Sequence, residues 1–72
     1  MLHTYRVRLG RGLYGSRFSL HVGALNPTEA RAIAEWARPG WKAISAVRSP
    51  YALTLADRNL RERYLASLTP AQ

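Results

Sequence analysis

From Tyr5 to Leu9 apolar and polar residues alternate, with Tyr5, Val7 and Leu9 on one side and Thr4, Arg6 and Arg8 on the other. This two-residue period predicts a strand with one face buried. The pattern returns in Phe18, Leu20 and Val22 against Arg17, Ser19 and His21. The two runs predict an antiparallel hairpin, with Gly10 to Ser16 as its connection.

The period then changes. In Leu25-Asn26-Pro27-Thr28-Glu29, Asn26 can cap a helix and Pro27 suits the first helical position, where no amide hydrogen is needed. Glu29 is placed to reach back to the cap's amide. Ala30, Ile33, Ala34 and Ala37 form a stripe that lets this helix lie close to a sheet, Trp36 packs at the stripe's edge, and Pro39-Gly40 ends it.

Trp41 to Val47 reads as a third strand with blurred alternation, since Trp41, Ala43 and Val47 share one parity and Ile44 and Ala46 the other. Either both faces are partly covered or a bulge intervenes. After Ser49-Pro50, Tyr51, Leu53 and Leu55 alternate as a short fourth strand would, while Thr54 with Asp57 would instead cap the last helix directly. That helix carries Leu60, Tyr64, Leu65 and Leu68 on one face and ends near Pro70. The order is ββαβα or ββαββα. It predicts a single α+β domain over residues 1–72, an antiparallel sheet of three or four strands with two helices packed on one face. The other face then shows Arg6, Arg8, Arg17, Ser19 and His21 to solvent.

A chain of 72 residues has room for one small core. Without cysteine it has no disulfide framework and no thiolate metal site, which suits a reducing compartment such as the cytoplasm. No apolar run approaches the roughly 20 residues of a membrane span, and MLHTYRVRLG lacks the apolar stretch of a secretory signal. A cytoplasmic protein without membrane contact is expected.

Charge sharpens this picture. Ten arginines and one lysine oppose Glu29, Glu35, Asp57 and Glu62, for a net charge of +7. Arg6, Arg8, Arg11 and Arg17 all precede the first acid, and Lys42 and Arg48 add to the excess. Abundant Arg with Ala is also what a GC-rich genome produces, and exposed like charges are screened by water. A basic face nevertheless favours an anionic partner: nucleic acid, an anionic membrane, or an acidic protein or nucleoprotein surface, of which the membrane is not expected here.

Gly10-x-Gly12-x-x-Gly15 has the letters of a nucleotide-phosphate loop, and Glu29 follows Gly10 near the spacing of a ribose-binding acid. That motif works only where a helix follows the loop and holds the phosphates on its N-terminus. Here a strand follows, and a kinase-type loop between strands would need a lysine strand, catalytic loop and metal-binding aspartate that this chain lacks. The glycines read as turn formers that hold Arg11 and Tyr14 at an exposed tip. His3 and His21, on opposite strand parities, have no metal-ligand spacing, and no serine has an evident base partner. No enzyme, metal or cofactor is indicated. The candidate binding residues are Arg6, Arg8, Arg11, Tyr14, Arg17, Ser19, His21, Lys42 and Arg48.

The segments TYRVRL, RFSLHV and NPTEARAIAEWA followed by WKAISAVRS, roughly residues 4 to 49, give a layout similar to some anti-CRISPR proteins of phages and mobile elements. The resemblance implies a non-enzymatic inhibitor that binds a CRISPR surveillance complex. A basic member would touch guide RNA, bound DNA or an acidic protein surface. The alternatives are a direct, non-specific DNA- or RNA-binding accessory protein, and a structural or toxin–antitoxin-like partner that oligomerises through an apolar edge strand. A monomer or small homo-oligomer is expected.

Overall fold

The alternation in the first third of the chain closes into the expected hairpin. In the computed structural model, which describes residues 1–12 and 15–68, strand β1 (His3–Arg11) pairs antiparallel with β2 (Ser16–Ala24). Tyr5 lies opposite Val22, Val7 opposite Leu20 and Leu9 opposite Phe18, so both apolar rows share a face. The connection is shorter than the Gly10–Ser16 that alternation suggests, because Gly10 pairs with Arg17 and Arg11 with Ser16. Gly12 and Gly15 adopt φ of 73° and 78°, the left-handed region where a side chain would be strained. The glycine loop thus turns the chain.

Helix α1 (Pro27–Ala37) starts as its sequence requires, with Asn26 Oδ1 accepting from the Glu29 amide at 2.8 Å. Glu29 does not reach back to the cap's own amide. Its carboxylate accepts from the Leu25 amide one residue earlier, at 3.0 Å. Ala30, Ile33 and Ala34 are fully buried against Val7, Leu9 and Val22, and the small side chains bring the helix axis close to the sheet.

Strand β3 (Lys42–Arg48) pairs antiparallel with the free side of β1, giving the order β2-β1-β3. Its blurred alternation is a bulge: Ala43 lies opposite Leu9 and Ser45 opposite Arg8, leaving Ile44 without a partner. Ala43 and Ala46, three apart, can therefore both face the core. The Ile44 side chain lies instead over Gly10, where a Cβ would come within 2.7 Å of Ile44 Cδ1. Glu35 Oε2 accepts from the Ala43 amide at 2.8 Å, which occupies a donor of the edge strand and blunts it.

No fourth strand forms at residues 51–55. The Ser49 amide donates to the Thr4 carbonyl at 2.8 Å, and Leu53 then lies against Gly23, where a Cβ would come within 2.6 Å of Leu53 Cδ1. Thr54 Oγ1 accepts from the Asp57 amide and Asp57 Oδ2 from the Thr54 amide, at 3.1 and 3.2 Å. This reciprocal cap opens helix α2 (Leu55–Leu68) and leaves no residues for a strand. The expected end near Pro70 lies outside the described residues. Helix α2 packs against α1 and β2, placing Leu60 and Tyr64 on the core, with the Tyr64 ring edge-on to Trp36 at 5.8 Å. The apolar face is covered only in part, and Leu68 stays 60% exposed.

Arg61 fastens α2 to the first turn of α1, its Nε and Nη2 donating to Glu29 Oε1 and Oε2 at 2.7 and 3.3 Å. This guanidinium, aided by the Leu25 amide and opposed by burial, holds the Glu29 carboxyl below the usual carboxylate range. A depressed folded-state pKa adds stability that is present above the unfolded value and is lost as pH falls through the folded one. Urea unfolding should therefore show a falling midpoint as pH drops below about 4, the range where glutamates protonate. Glu29→Gln should cost about 2 kcal/mol at neutral pH, the scale of a hydrogen bond to a charged group, and should flatten that acid dependence. An unchanged acid profile would show that other carboxylates govern it.

Candidate functional site

The face of the sheet opposite α1 is organised in rows across the three strands. From the hairpin end these rows are Arg17–Gly10–Lys42, Ser19–Arg8–Ser45, and His21–Arg6–Val47. Arg6, Arg8, Arg17, Ser19, His21 and Lys42 are all exposed, as expected of strand positions whose neighbours in sequence face the core. The register separates the charges more than the hairpin alone would suggest. No arginine lies directly opposite another: Arg8 faces Ser19, and Arg17 is its diagonal neighbour at about 7–8 Å. Arg6 and Arg8 follow along one strand at about 6.7 Å. Arg17 and Lys42 flank Gly10, whose missing side chain leaves space between them that Ile44 partly fills.

These rows contain no carboxylate. Glu29 is committed to Arg61, Glu35 to the Ala43 amide and Asp57 to the cap of α2. Among the described residues no salt bridge neutralises Arg6, Arg8, Arg17 or Lys42. A shallow hollow lined by Arg6, Arg8, Arg17, Ser19 and Ser45 combines three guanidinium groups with two hydroxyls, a donor set suited to phosphate oxygens.

The remaining candidates are dispersed. Arg11 lies opposite Ser16 at the hairpin end, its guanidinium carbon 5.8 Å from the Trp41 ring centroid. Trp41 meets Phe18 edge-on at 4.7 Å, and the Arg38 guanidinium carbon lies 6.0 Å from the Phe18 ring centroid. Arg11 thus rests over Trp41 and borders the basic face only at its rim, beside Gly10, Arg17 and Lys42. Arg48 lies opposite Tyr5 at the far end of β3 and lines a second hollow with Arg6 and His21. Tyr14 lies outside the described residues.

Sequence reasoning missed Tyr51, Val47, Ser45 and Ile44. The bulge turns Ile44, Ser45 and Val47 onto the basic face, and Ile44 and Val47 are 49% and 57% exposed there. The connection after β3 brings the Tyr51 ring to 5.8 Å from His21, tilted by 45°. Only the blurred alternation of the third strand hinted at the first three, and nothing local pointed to Tyr51.

His21, Tyr51 and Asp57 border one hollow, but Asp57 accepts from the Thr54 amide and His21 meets Tyr51 by its ring. No nucleophile–base pair is assembled by these contacts. Among the described residues no three His, Asp or Glu side chains come together in a group that could hold a metal ion, and no helix is long and apolar enough to cross a membrane. No protein-family model, curated protein or solved structure matches this chain.

Proposed function

We propose that this chain is a non-enzymatic binding protein that engages an anionic nucleoprotein surface through the bare face of its sheet, with inhibition of a CRISPR surveillance complex in the host cytoplasm as the concrete case. The observation that carries this reading is the set of rows bearing Arg6, Arg8, Arg17 and Lys42 with no carboxylate among them. The sheet fixes the spacing of these cations and of the hydroxyls between them, so covering them with a phosphate-rich surface orders side chains but no backbone. Direct binding of free DNA or RNA is the second reading, favoured by the hollow whose guanidinium and hydroxyl donors suit phosphate.

Two measurements separate the readings. A tagged protein expressed in a cell with an active CRISPR system should recover the surveillance complex and reduce interference; recovery of no nucleoprotein with unchanged interference would sink the inhibitor reading. Labelled oligonucleotides titrated at two salt concentrations report direct binding. Four phosphate contacts on a single strand give a slope of log affinity against log salt of about −3. Negligible affinity at low salt would exclude the second reading.

A further inference from the structure

The rows of the basic face end at an aromatic pair. Tyr51 is 69% exposed and stands beside the exposed His21, directly after Arg6 in the line that runs from Arg17 and Lys42 through Arg8. The hollow at that end is lined by Arg6, His21, Val47, Arg48 and Tyr51. We infer that this end of the face takes an unpaired nucleotide, its base stacked on Tyr51, and that the face as a whole is a site for single-stranded nucleic acid whose phosphates follow Arg6, Arg8 and Arg17. The inference rests on the anionic-surface reading above and names the element of that surface in contact.

Chemistry favours a single strand over the other polyanions. A duplex hides the faces of its bases, so an exposed ring at the end of the rows would have no base face to meet. A bare polyphosphate would engage the arginines but has no use for an exposed ring beside them. Single strands require both components, a cationic track for the backbone and an aromatic platform that accepts any base. The track from Gly10 to Arg6 spans five residues of β1, about 13 Å at the rise of a strand, enough for a few nucleotides. Tyr51 lies just beyond it, held by the Ser49 amide on the Thr4 carbonyl and by the Ser49 hydroxyl, which accepts from the Tyr51 amide at 3.2 Å.

Fluorescence anisotropy with a labelled thymidine 12-mer, a duplex of the same length and an abasic 12-mer of equal charge tests this. The wild-type chain should bind the thymidine strand about tenfold more tightly than the abasic strand, the scale of one stacked base. Tyr51→Ala should remove that preference without altering abasic binding, and Tyr51→Phe should keep it. Circular dichroism of both variants checks that the exposed substitution leaves the fold unchanged. Equal affinity for the thymidine and abasic strands, or a duplex bound more tightly than either, overturns the stacking site while leaving the anionic-surface reading intact. If no oligonucleotide binds at low salt yet the protein still captures a partner through Arg6, Arg8 and Arg17, the single-strand site falls and that partner contact is proteinaceous.

Discussion

The triple substitution Arg6→Glu, Arg8→Glu, Arg17→Glu is expected to abolish partner capture and leave the fold intact. All three side chains are exposed on one sheet face, and none is salt-bridged among the described residues, so no native pair is broken. The change brings the net charge from +7 to near neutral and leaves the diagonal pair at positions 8 and 17 like-charged, as it is in the native chain. Stability should therefore stay close to that of an ordinary surface variant, within about 0.5 kcal/mol per site. Binding should respond very differently. A hydrogen bond to a charged group contributes at least about 1.5 kcal/mol, so losing three corresponds to more than a thousandfold in affinity. Urea unfolding and partner capture on the same preparation check both halves. A folded triple variant that still captures its partner would place the site elsewhere.

Leu9→Ala, one residue from Arg8, should do the opposite. Leu9 is fully buried and, with Ile33, Val7 and Val22, is one of the largest side chains wholly enclosed by the core. The rest of the buried apolar set is Tyr5, Ala24, Ala30 and Ala34, so few neighbours are large enough to move into the space left behind. Truncating a buried leucine costs about 2–5 kcal/mol, the upper end applying where the cavity cannot collapse. A domain of 72 residues has only about 4–10 kcal/mol of total stability. The variant should lose roughly half of its stability, seen as a large fall in the urea midpoint. A fall under about 1 kcal/mol would mean that Phe18 and Trp41 repack into the gap.

The contrast between Arg8 and Leu9 is also the part of the molecule most legible in its sequence. Alternation assigned Arg6, Arg8, Arg17, Ser19 and His21 to the open face, and the strand register places them there. The Asn26-Pro27 start of α1 and its small-residue stripe were equally readable, since a cap and a helical stripe depend on residues within one or two turns. Around the bulge at Ile44 the same reasoning weakened. Alternation showed a disturbance there but not its direction, because which residue loses its partner depends on the pairing with β1. The last third was ambiguous for a related reason. Tyr51, Leu53 and Leu55 have strand spacing, but the reciprocal cap between Thr54 and Asp57 prevailed while Leu53 packed on Gly23.

By itself, then, the sequence determined what local periodicity and turn chemistry control: the hairpin, the capped helix, the turn-forming role of Gly12 and Gly15, and a cationic outer face. Tertiary structure alone decided which distant residues meet. It set β3 on the far side of β1 and lodged Ile44 over Gly10. It also carried the Glu29 carboxylate to Arg61, held Arg11 against Trp41 and brought Tyr51 beside His21. These contacts join residues far apart in the chain, and they form only where the collapsed core offsets the entropy of closing the intervening loops. No period along the chain records where those loops close.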